Sequence, residues 1–131
     1  MEKPCPFCAI VADSSSREIV AANDSAVAFR DAFPVSRGHT LVVPRVHAAL
    51  LSELSKEQSR DLFDLVYDLC AGELYAPPAR TIGVNDGPLA GQTVAHVHVH
   101  LIPRRLGDVA DPRGGVRWVL PEQADYWSAR P

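Results

Sequence analysis

The chain has 131 residues, is 47% hydrophobic and 22% charged, and carries a formal net charge of −3. These values suit one globular domain with a single hydrophobic core and argue against disorder. The negative charge argues against a nucleic-acid-binding protein that works by bulk electrostatics, although a local basic patch for a small phosphorylated ligand is compatible with it. The first ten residues lack the apolar segment of a signal peptide, and no apolar run approaches the ~18 residues that span a bilayer. We therefore expect a soluble cytoplasmic protein with no membrane partner.

Three strands and one long helix are predicted in the first half of the chain. Residues 18–22 and 26–30 are apolar runs on either side of the turn signal NDS, and residues 39–44 form a third run that ends at a proline. Residues 55–71 predict a helix, because S-x-x-Q at the start is a capping box and a glycine follows the end. Apolar residues repeat at helical spacing within it: Leu62, Leu65, Val66 and Leu69.

The second half adds further strands. Residues 79–85 predict a strand, the glycine-rich stretch DGPLAGQ a loop, and residues 94–103 the longest strand of the chain. After another loop, VRWVLP at 116–121 is a possible final strand. This order predicts an α+β fold, an antiparallel meander of about five strands with one long helix and a short second helix. We expect one domain over residues 1–131, with a C-terminal tail at 104–131.

Two of the three cysteines, Cys5 and Cys8, form a C-x-x-C pair in an N-terminal arm at residues 1–12. Such a pair is typical of a metal half-site or of a redox centre. The redox version needs a strand before the pair, and only four residues precede it, so a metal is favoured; a plain turn is the alternative. Cys70 lies in the predicted helix and is expected to be a small core residue.

The stretch HVHVH places His96, His98 and His100 on alternate positions. On a strand their side chains share one face, with bases roughly 6.5–7 Å apart. Three interpretations are open: an exposed strand face, a metal-chelating strand, or a reaction centre. A closed zinc site on the cysteine pair needs two more ligands, and His47 and one histidine of the trio are candidates. If the latter is His96, the other two histidines remain for chemistry.

The loop NDGPLAGQTV at 85–94 comes directly before the histidines. Its glycines let backbone N–H groups approach an oxyanion closely, and Thr93 adds a hydroxyl, so the loop is a candidate phosphate site. NDG also suits a tight hairpin turn, and the two interpretations are compatible.

These motifs together resemble those of the histidine triad (HIT) family, whose signature is His-φ-His-φ-His-φ-φ with φ apolar. Residues 96–102 fit every position, and GQTV, RGHTLVVPRVH, NDG and CPFC resemble the family as well. The likeness covers about residues 5–105, and the tail resembles that of many bacterial members. It implies a HIT-like fold, a purine nucleotide as substrate, and a homodimer with the long helix and a sheet edge at its interface.

The resemblance also implies hydrolysis or transfer at the α-phosphate of a nucleotide, with His98 as the nucleophile. A neutral imidazole is a competent nucleophile near pH 7, and a covalent nucleotidyl-imidazole divides one difficult step into two easier ones. His100 would donate to a phosphoryl oxygen, and His39 matches an additional histidine of the same network. The expected substrate contacts are a ribose-binding carboxylate, pocket and phosphate-loop residues and an apolar base slot: Asp31, Asn85, Gly91, Gln92, Thr93, Val94, Phe7, Ile10 and Phe29.

Family members that carry the N-terminal cysteine pair use the first triad histidine as a zinc ligand. The resemblance therefore assigns four residues to a structural zinc ion with no open coordination position: Cys5, Cys8, His47 and His96.

The expected function is hydrolysis of dinucleoside polyphosphates or nucleoside phosphoramidates. Four arginines after the histidines weakly favour a polyphosphate, although solvated loop arginines are the alternative: Arg104, Arg105, Arg113 and Arg117. Two other functions stay open, a nucleotidyltransferase or phosphorylase with the same covalent intermediate and a non-catalytic zinc protein that binds purine nucleotides.

Overall fold

The computed structural model describes residues 4–13, 15, 17–72 and 77–129. The strands in these ranges are β1 (Ile19–Ala22), β2 (Ala26–Arg30), β3 (Thr40–Pro44), β4 (Ala79–Val84) and β5 (Val99–Arg104). The helices are α1 (Pro6–Ala12), α2 (Lys56–Ala71) and α3 (Pro121–Ala124), with 3-10 helices at Leu51–Glu53, Pro88–Ala90 and Gly115–Val119. The five strands form one antiparallel sheet in the order β1-β2-β3-β5-β4.

The α+β prediction is confirmed, and so is the capping box of the long helix. The Ser55 hydroxyl accepts a hydrogen bond from the Gln58 amide at 3.1 Å, and the Gln58 side chain accepts one from the Ser55 amide at 2.9 Å. The strand order departs from a simple meander at one end, since β5 lies between β3 and β4. As a result β4 is an edge strand, whereas β5 is held on both sides.

The predicted strand at 94–103 is wrong at its start, because β5 begins only at Val99. His100 is therefore the one triad histidine that lies in the strand. His96 and His98 precede it in irregular backbone and are nevertheless buried, with 0% and 6% of their surface exposed.

The neighbouring strand explains this late start. Pro44 ends β3 and has no N–H with which to extend the ladder. Its carbonyl instead accepts a hydrogen bond from the His96 ring at 2.9 Å. The Val97 amide donates to the carbonyl of Ala48 at 2.8 Å, beyond the end of β3. The backbone groups that would form a longer strand are thus used by the histidine segment itself.

The predicted final strand at 116–121 is also wrong, because the chain forms the 3-10 helix Gly115–Val119 there. Gly114 and Gly115 have φ values of 91° and 42°, in a region that favours glycine. They turn the chain so that the Arg117 amide donates to the Gly114 carbonyl at 2.7 Å. A local turn therefore replaces strand pairing in this part of the tail.

Helices cover both faces of the sheet. The α2 face forms one buried cluster, against which Cys70 packs as a partly buried side chain, and its members are Ala26, Ala28, Val42, Ala48, Leu62, Leu65, Val66, Val97, Val99 and Leu101. The α1 face forms a second cluster of Phe7, Ile10, Val27, Phe29, Leu41 and Val43. None of the helices in the described part of the chain is both long enough and apolar enough to cross a bilayer.

Candidate active site and metal cluster

A cleft of about 460 Å³ opens between α1 and the sheet, a volume that suits a small-molecule ligand. It is lined by ten of the residues that the sequence predicts for the site, from three separate regions of the chain: Phe7, Ile10, Phe29, Asp31, His39, Asn85, Thr93, Val94, His98 and His100. The structure therefore gathers the apolar, carboxylate and imidazole groups of the prediction around one space.

His98 lies at the wall of this cleft with one ring nitrogen fixed. Its Nδ1 is 2.8 Å from the backbone carbonyl of His96, which accepts a hydrogen bond and so requires the proton on Nδ1. Nε2 then carries the lone pair. The irregular backbone before β5 makes this bond possible, because a strand would direct the carbonyl towards its neighbour. The residue thus has the tautomer that a nucleophilic imidazole needs.

His39 and His100 form a second imidazole pair, in which His39 Nε2 lies 2.9 Å from His100 Nδ1. The Val35 amide donates to His39 Nδ1 at 3.2 Å, so the proton of neutral His39 is on Nε2. That proton is donated to His100 Nδ1, which leaves the proton of His100 on its Nε2. His100 can therefore donate a hydrogen bond to a ligand in the cleft.

Burial favours the neutral forms of both rings. It lowers the pKa of His39 below its usual value, against the opposing charge of Asp31. It also lowers the pKa of His100, and the neighbouring His98 and His39 rings act in the same direction, again against Asp31. Near neutral pH both rings are consequently uncharged. The hydrogen bonds from the Val35 amide to His39 and from His39 to His100 require neutral rings.

Asp31 closes this network at the end of β2. Its Oδ1 accepts a hydrogen bond from the Phe33 amide at 2.8 Å, and its Oδ2 lies 3.4 Å from His39 Nε2. The side chain is 16% exposed, so its carboxylate still has room to accept hydrogen bonds from a ligand.

The loop before the histidines contributes to the cleft in part. Asn85, Thr93 and Val94 line it, whereas Gly91 and Gln92 do not. The Gln92 side chain instead accepts from the Gly87 amide at 2.9 Å and donates to the Ala49 carbonyl at 2.8 Å. Gln92 therefore holds the loop against the segment after β3, and its predicted side-chain contact with substrate finds no support in this geometry.

The cysteine pair and two histidines meet beside the cleft, with all four ligand atoms within 4.8 Å of one another. Cys8 Sγ lies 3.2 Å from His47 Nδ1 and 3.5 Å from His96 Nδ1, and Cys5 Sγ lies 3.4 Å from the latter. A tetrahedral zinc ion separates a sulfur and a nitrogen ligand by about 3.6 Å. The cluster is thus compatible with zinc.

The tautomer of His96 also fits a metal. Its Nε2–H donates to the Pro44 carbonyl, which leaves the Nδ1 lone pair facing the two thiols. This is the outer hydrogen bond that orients most metal-binding histidines. Burial and the neighbouring Cys5 thiol raise the pKa of Cys8.

Asp31, His39 and His100 are also within metal-binding distance of one another. The Val35 amide, however, occupies the Nδ1 lone pair of His39, so that Nε2 is protonated and cannot bind a cation. This second cluster is therefore a hydrogen-bond network with fixed proton positions rather than a metal site.

Some residues of the site had no signal in the sequence. Val35 orders the imidazole pair through its backbone amide, which no side-chain pattern reports. Arg17 and Phe33 line the cleft but stand alone in loop segments. The pattern gave no reason to single out any of the three.

The arginines of the tail are engaged within the protein. Arg104 forms a two-point salt bridge with Asp108, which lowers the pKa of that carboxyl to about 2. The Arg105 guanidinium donates to the Arg37 carbonyl. Arg113 pairs with Asp111 and lies over the Trp127 ring. Arg117 donates to the carbonyls of Gln123 and Ala124 and lies over the Tyr126 ring. Because the four arginines are engaged within the protein, they no longer favour a polyphosphate as the substrate.

A second cavity of about 450 Å³ shares four lining residues with the cleft: Val35, His39, Asn85 and His100. Arg104 reaches it, but most of its lining is apolar and comes from the sheet, the loop before β3 and the tail: Val35, Val84, Ile102, Val116 and Val119. The imidazole pair therefore lines both cavities.

The family model described as the HIT domain matches residues 13–107. The chain belongs to the HIT domain family. Among its curated relatives, the adenosine 5'-monophosphoramidase of Schizosaccharomyces pombe is 38% identical over 100 residues, which cover 76% of this chain and 74% of that protein. The asymmetrical bis(5'-nucleosyl)-tetraphosphatase of the same organism is 38% identical over 86 residues, 64% of this chain and 47% of that protein. Both names are those of nucleotide hydrolases.

The chain also resembles solved structures of the family. The crystal structure of a zinc-bound histidine triad family protein from Mycobacterium smegmatis aligns with a TM-score of 0.72 at 32% identity, over 82% of this chain and 79% of that one. The HIT fold expected from the resemblance is thereby confirmed.

Proposed function

We propose that this protein is a nucleotide hydrolase that acts at the α-phosphate of a purine nucleotide derivative through a covalent nucleotidyl-His98 intermediate. The observation that carries the proposal is the hydrogen bond from His98 Nδ1 to the His96 carbonyl, which places the lone pair of the neutral ring on Nε2 at the wall of a ligand-sized cleft. Relatives named as a phosphoramidase and a tetraphosphatase support the reaction class.

In the first step Nε2 of His98 attacks the α-phosphorus, and the leaving group departs on the opposite side with the electron pair of the broken bond. A phosphate leaving group departs as an anion, and an amine takes up a proton from solvent. The imidazole becomes positively charged as the P–N bond forms, and the carbonyl dipole of His96 stabilises this charge through the Nδ1–H bond. Water then attacks the phosphorus of the nucleotidyl-imidazole, the P–N bond breaks, and a nucleoside monophosphate is released together with one proton, which passes to solvent. The free imidazole is regenerated with its Nδ1 proton still in place.

His100 would stabilise the negative charge on the phosphoryl oxygens in both steps. Its Nε2–H is the donor that the His39 contact leaves available. Removal of one such donor from other enzymes costs about 10²–10³ in kcat. His39 does not touch the phosphate in this scheme; it fixes the proton position of His100.

The nucleoside would occupy the cleft beneath α1. Phe7, Ile10 and Phe29 are buried side chains that offer an apolar slot for the base. Asp31 would accept hydrogen bonds from the ribose hydroxyls. The leaving half would extend into the second cavity, whose apolar lining and salt-bridged Arg104 suit a phosphoramidate at least as well as a polyphosphate.

We further propose that the cysteine–histidine cluster binds one structural zinc ion, which would neutralise the thiolates and fix α1 to the sheet. The ligand set is Cys5, Cys8, His47 and His96. The four protein ligands fill a tetrahedral shell, so this site would take no part in the chemistry.

A homodimer is proposed as well. Tyr67 on α2 is 71% exposed and Ile82 on the edge strand β4 is 43% exposed, and such apolar side chains suit a partner surface.

The proposed function is tested with a panel of dinucleoside polyphosphates and adenosine phosphoramidates, with products identified by mass and with and without inorganic phosphate. Release of AMP or another nucleoside monophosphate is expected. A product that gains phosphate would instead indicate a phosphorylase, and tight AMP binding without turnover of any compound would indicate a non-catalytic binding protein.

A further inference from the structure

The helix α1 and its N-cap contribute residues to both the metal cluster and the cleft. Cys5 is its N-cap and Cys8 lies one turn later, and both belong to the metal cluster. Phe7 lies between the two cysteines and Ile10 lies after them, and both line the cleft. A seven-residue helix and its N-cap residue therefore supply two residues to the metal cluster and two wall residues to the cleft.

Phe7 is a side-chain link between the two sites, in addition to the hydrogen bond from His98 Nδ1 to the His96 carbonyl. The centroid of the Phe7 ring lies 5.8 Å from that of His96, which belongs to the metal cluster, and 5.0 Å from that of His98, at the wall of the cleft. Both contacts are edge-on. It also packs against Phe29 at 5.6 Å and is 8% exposed. A shift of Phe7 would change the shape of the base slot and the packing around His98.

The contacts of α1 explain why metal would set this position. In the part of the chain that the structure describes, the polar contacts from Cys5 and α1 to the rest of the fold are the thiol–imidazole pairs with His47 and His96. The remaining attachment is apolar packing on the sheet. A helix of seven residues is not stable by itself in water, so its position depends on these attachments.

We infer that metal at the cysteine–histidine cluster and nucleotide in the cleft bind with positive linkage, and that Phe7 is the positioning residue that transmits it. This inference rests on the proposed nucleotide site. A metal-held α1 presents the slot that the base requires, so the metal-bound form binds nucleotide more tightly. Linkage is reciprocal, and nucleotide must then raise the affinity for metal by the same factor.

The test measures zinc affinity by competition with a chelator, in the absence of AMP and with AMP at a fixed multiple of its own Kd. We expect AMP to tighten zinc binding by a factor in the range of about 5 to 150. Phe7→Leu should bring this factor close to one while the protein still binds one zinc ion per chain. The control is Phe63→Leu, the same change on α2 at the other face of the sheet, which should keep the wild-type factor.

The outcomes separate this inference from the proposed function. AMP that binds the wild-type protein without changing its zinc affinity would overturn the linkage and leave the proposed function standing. An equal factor in Phe7→Leu and wild type would remove the role of Phe7 and would assign the coupling to another route, such as the His98–His96 hydrogen bond or global folding. Failure of the zinc-loaded protein to bind AMP would contradict both.

Discussion

Nε2 of His39 lies 2.9 Å from Nδ1 of His100, and the proton between them belongs to His39. The Val35 amide determines this, because it occupies the other nitrogen of His39. A buried histidine that touches neither the leaving group nor the phosphorus in the proposed scheme thus decides which nitrogen of His100 can donate into the cleft.

His39→Phe is therefore expected to lower kcat by about tenfold, the effect of one hydrogen bond of roughly 1–1.5 kcal/mol, with little change in AMP affinity. His100→Ala should lower kcat further, by about 10²–10³. Steady-state kinetics and AMP titration measure both. A His39→Phe enzyme whose kcat equals that of the wild type would contradict the role of His39 in ordering His100.

The lowered pKa values of His39 and His100 predict that stability falls in acid. In the unfolded chain each ring takes up a proton below about pH 6.5, whereas in the folded protein it stays neutral to a lower pH. Between these two values the unfolded state binds more protons, so the free energy of unfolding decreases as the pH falls below about 6.5, and the contribution is fully present above it.

Urea unfolding at pH 7.5 and pH 5.5, with zinc in excess, measures this effect. His100→Gln is the comparison, since it removes one of the two groups and should make the decrease smaller than in the wild type. An equal decrease in both proteins would assign the acid sensitivity to other groups, such as the metal ligands.

The three cysteines provide a matched test of the metal cluster. Cys8→Ser should lose zinc and stability, because zinc at 100 times its Kd stabilises the folded state by about 2.7 kcal/mol. Cys70→Ser, which changes a partly buried cysteine outside the cluster, should keep one zinc ion per chain. Metal analysis and thermal unfolding report the two quantities. Zinc-free wild-type protein with freely reactive Cys5 and Cys8 would exclude the site.

The proposed dimer predicts a change in mass with one surface substitution. Tyr67→Glu places a charge on the exposed face of α2 and should shift the protein from dimer to monomer in sedimentation equilibrium. Ser59→Glu on the same helix is a control for added charge. A wild-type protein that sediments as a monomer at high concentration would remove the proposal.

Patterns that depend on local sequence were predictive. The capping box of α2 and the turn residues between β1 and β2 act within a few residues, and the corresponding elements form where expected. The grouping of Cys5, Cys8, His47 and His96 was also accessible, since it was implied by the resemblance of the CPFC and triad motifs.

What could not be predicted depends on contacts between distant residues. The strand β5 begins late because the Pro44 carbonyl is taken by the His96 ring, 52 residues away. The Gln92 side-chain amide donates to the carbonyl of Ala49, 43 residues away, and tertiary structure makes this choice. The proton positions of the imidazole pair depend on the backbone amide of Val35, which no side-chain pattern in the sequence reports.

The covalent nucleotidyl-His98 intermediate is tested by acid- or freeze-quenched reaction of the enzyme with a hydrolysable nucleotide substrate, followed by mass spectrometry of its peptides. We expect a nucleotidyl adduct on His98 that forms and decays at rates compatible with turnover, and none in His98→Ala, which should retain the fold but lose activity. Turnover at the wild-type rate by His98→Ala, or an adduct on another residue, would contradict the central claim.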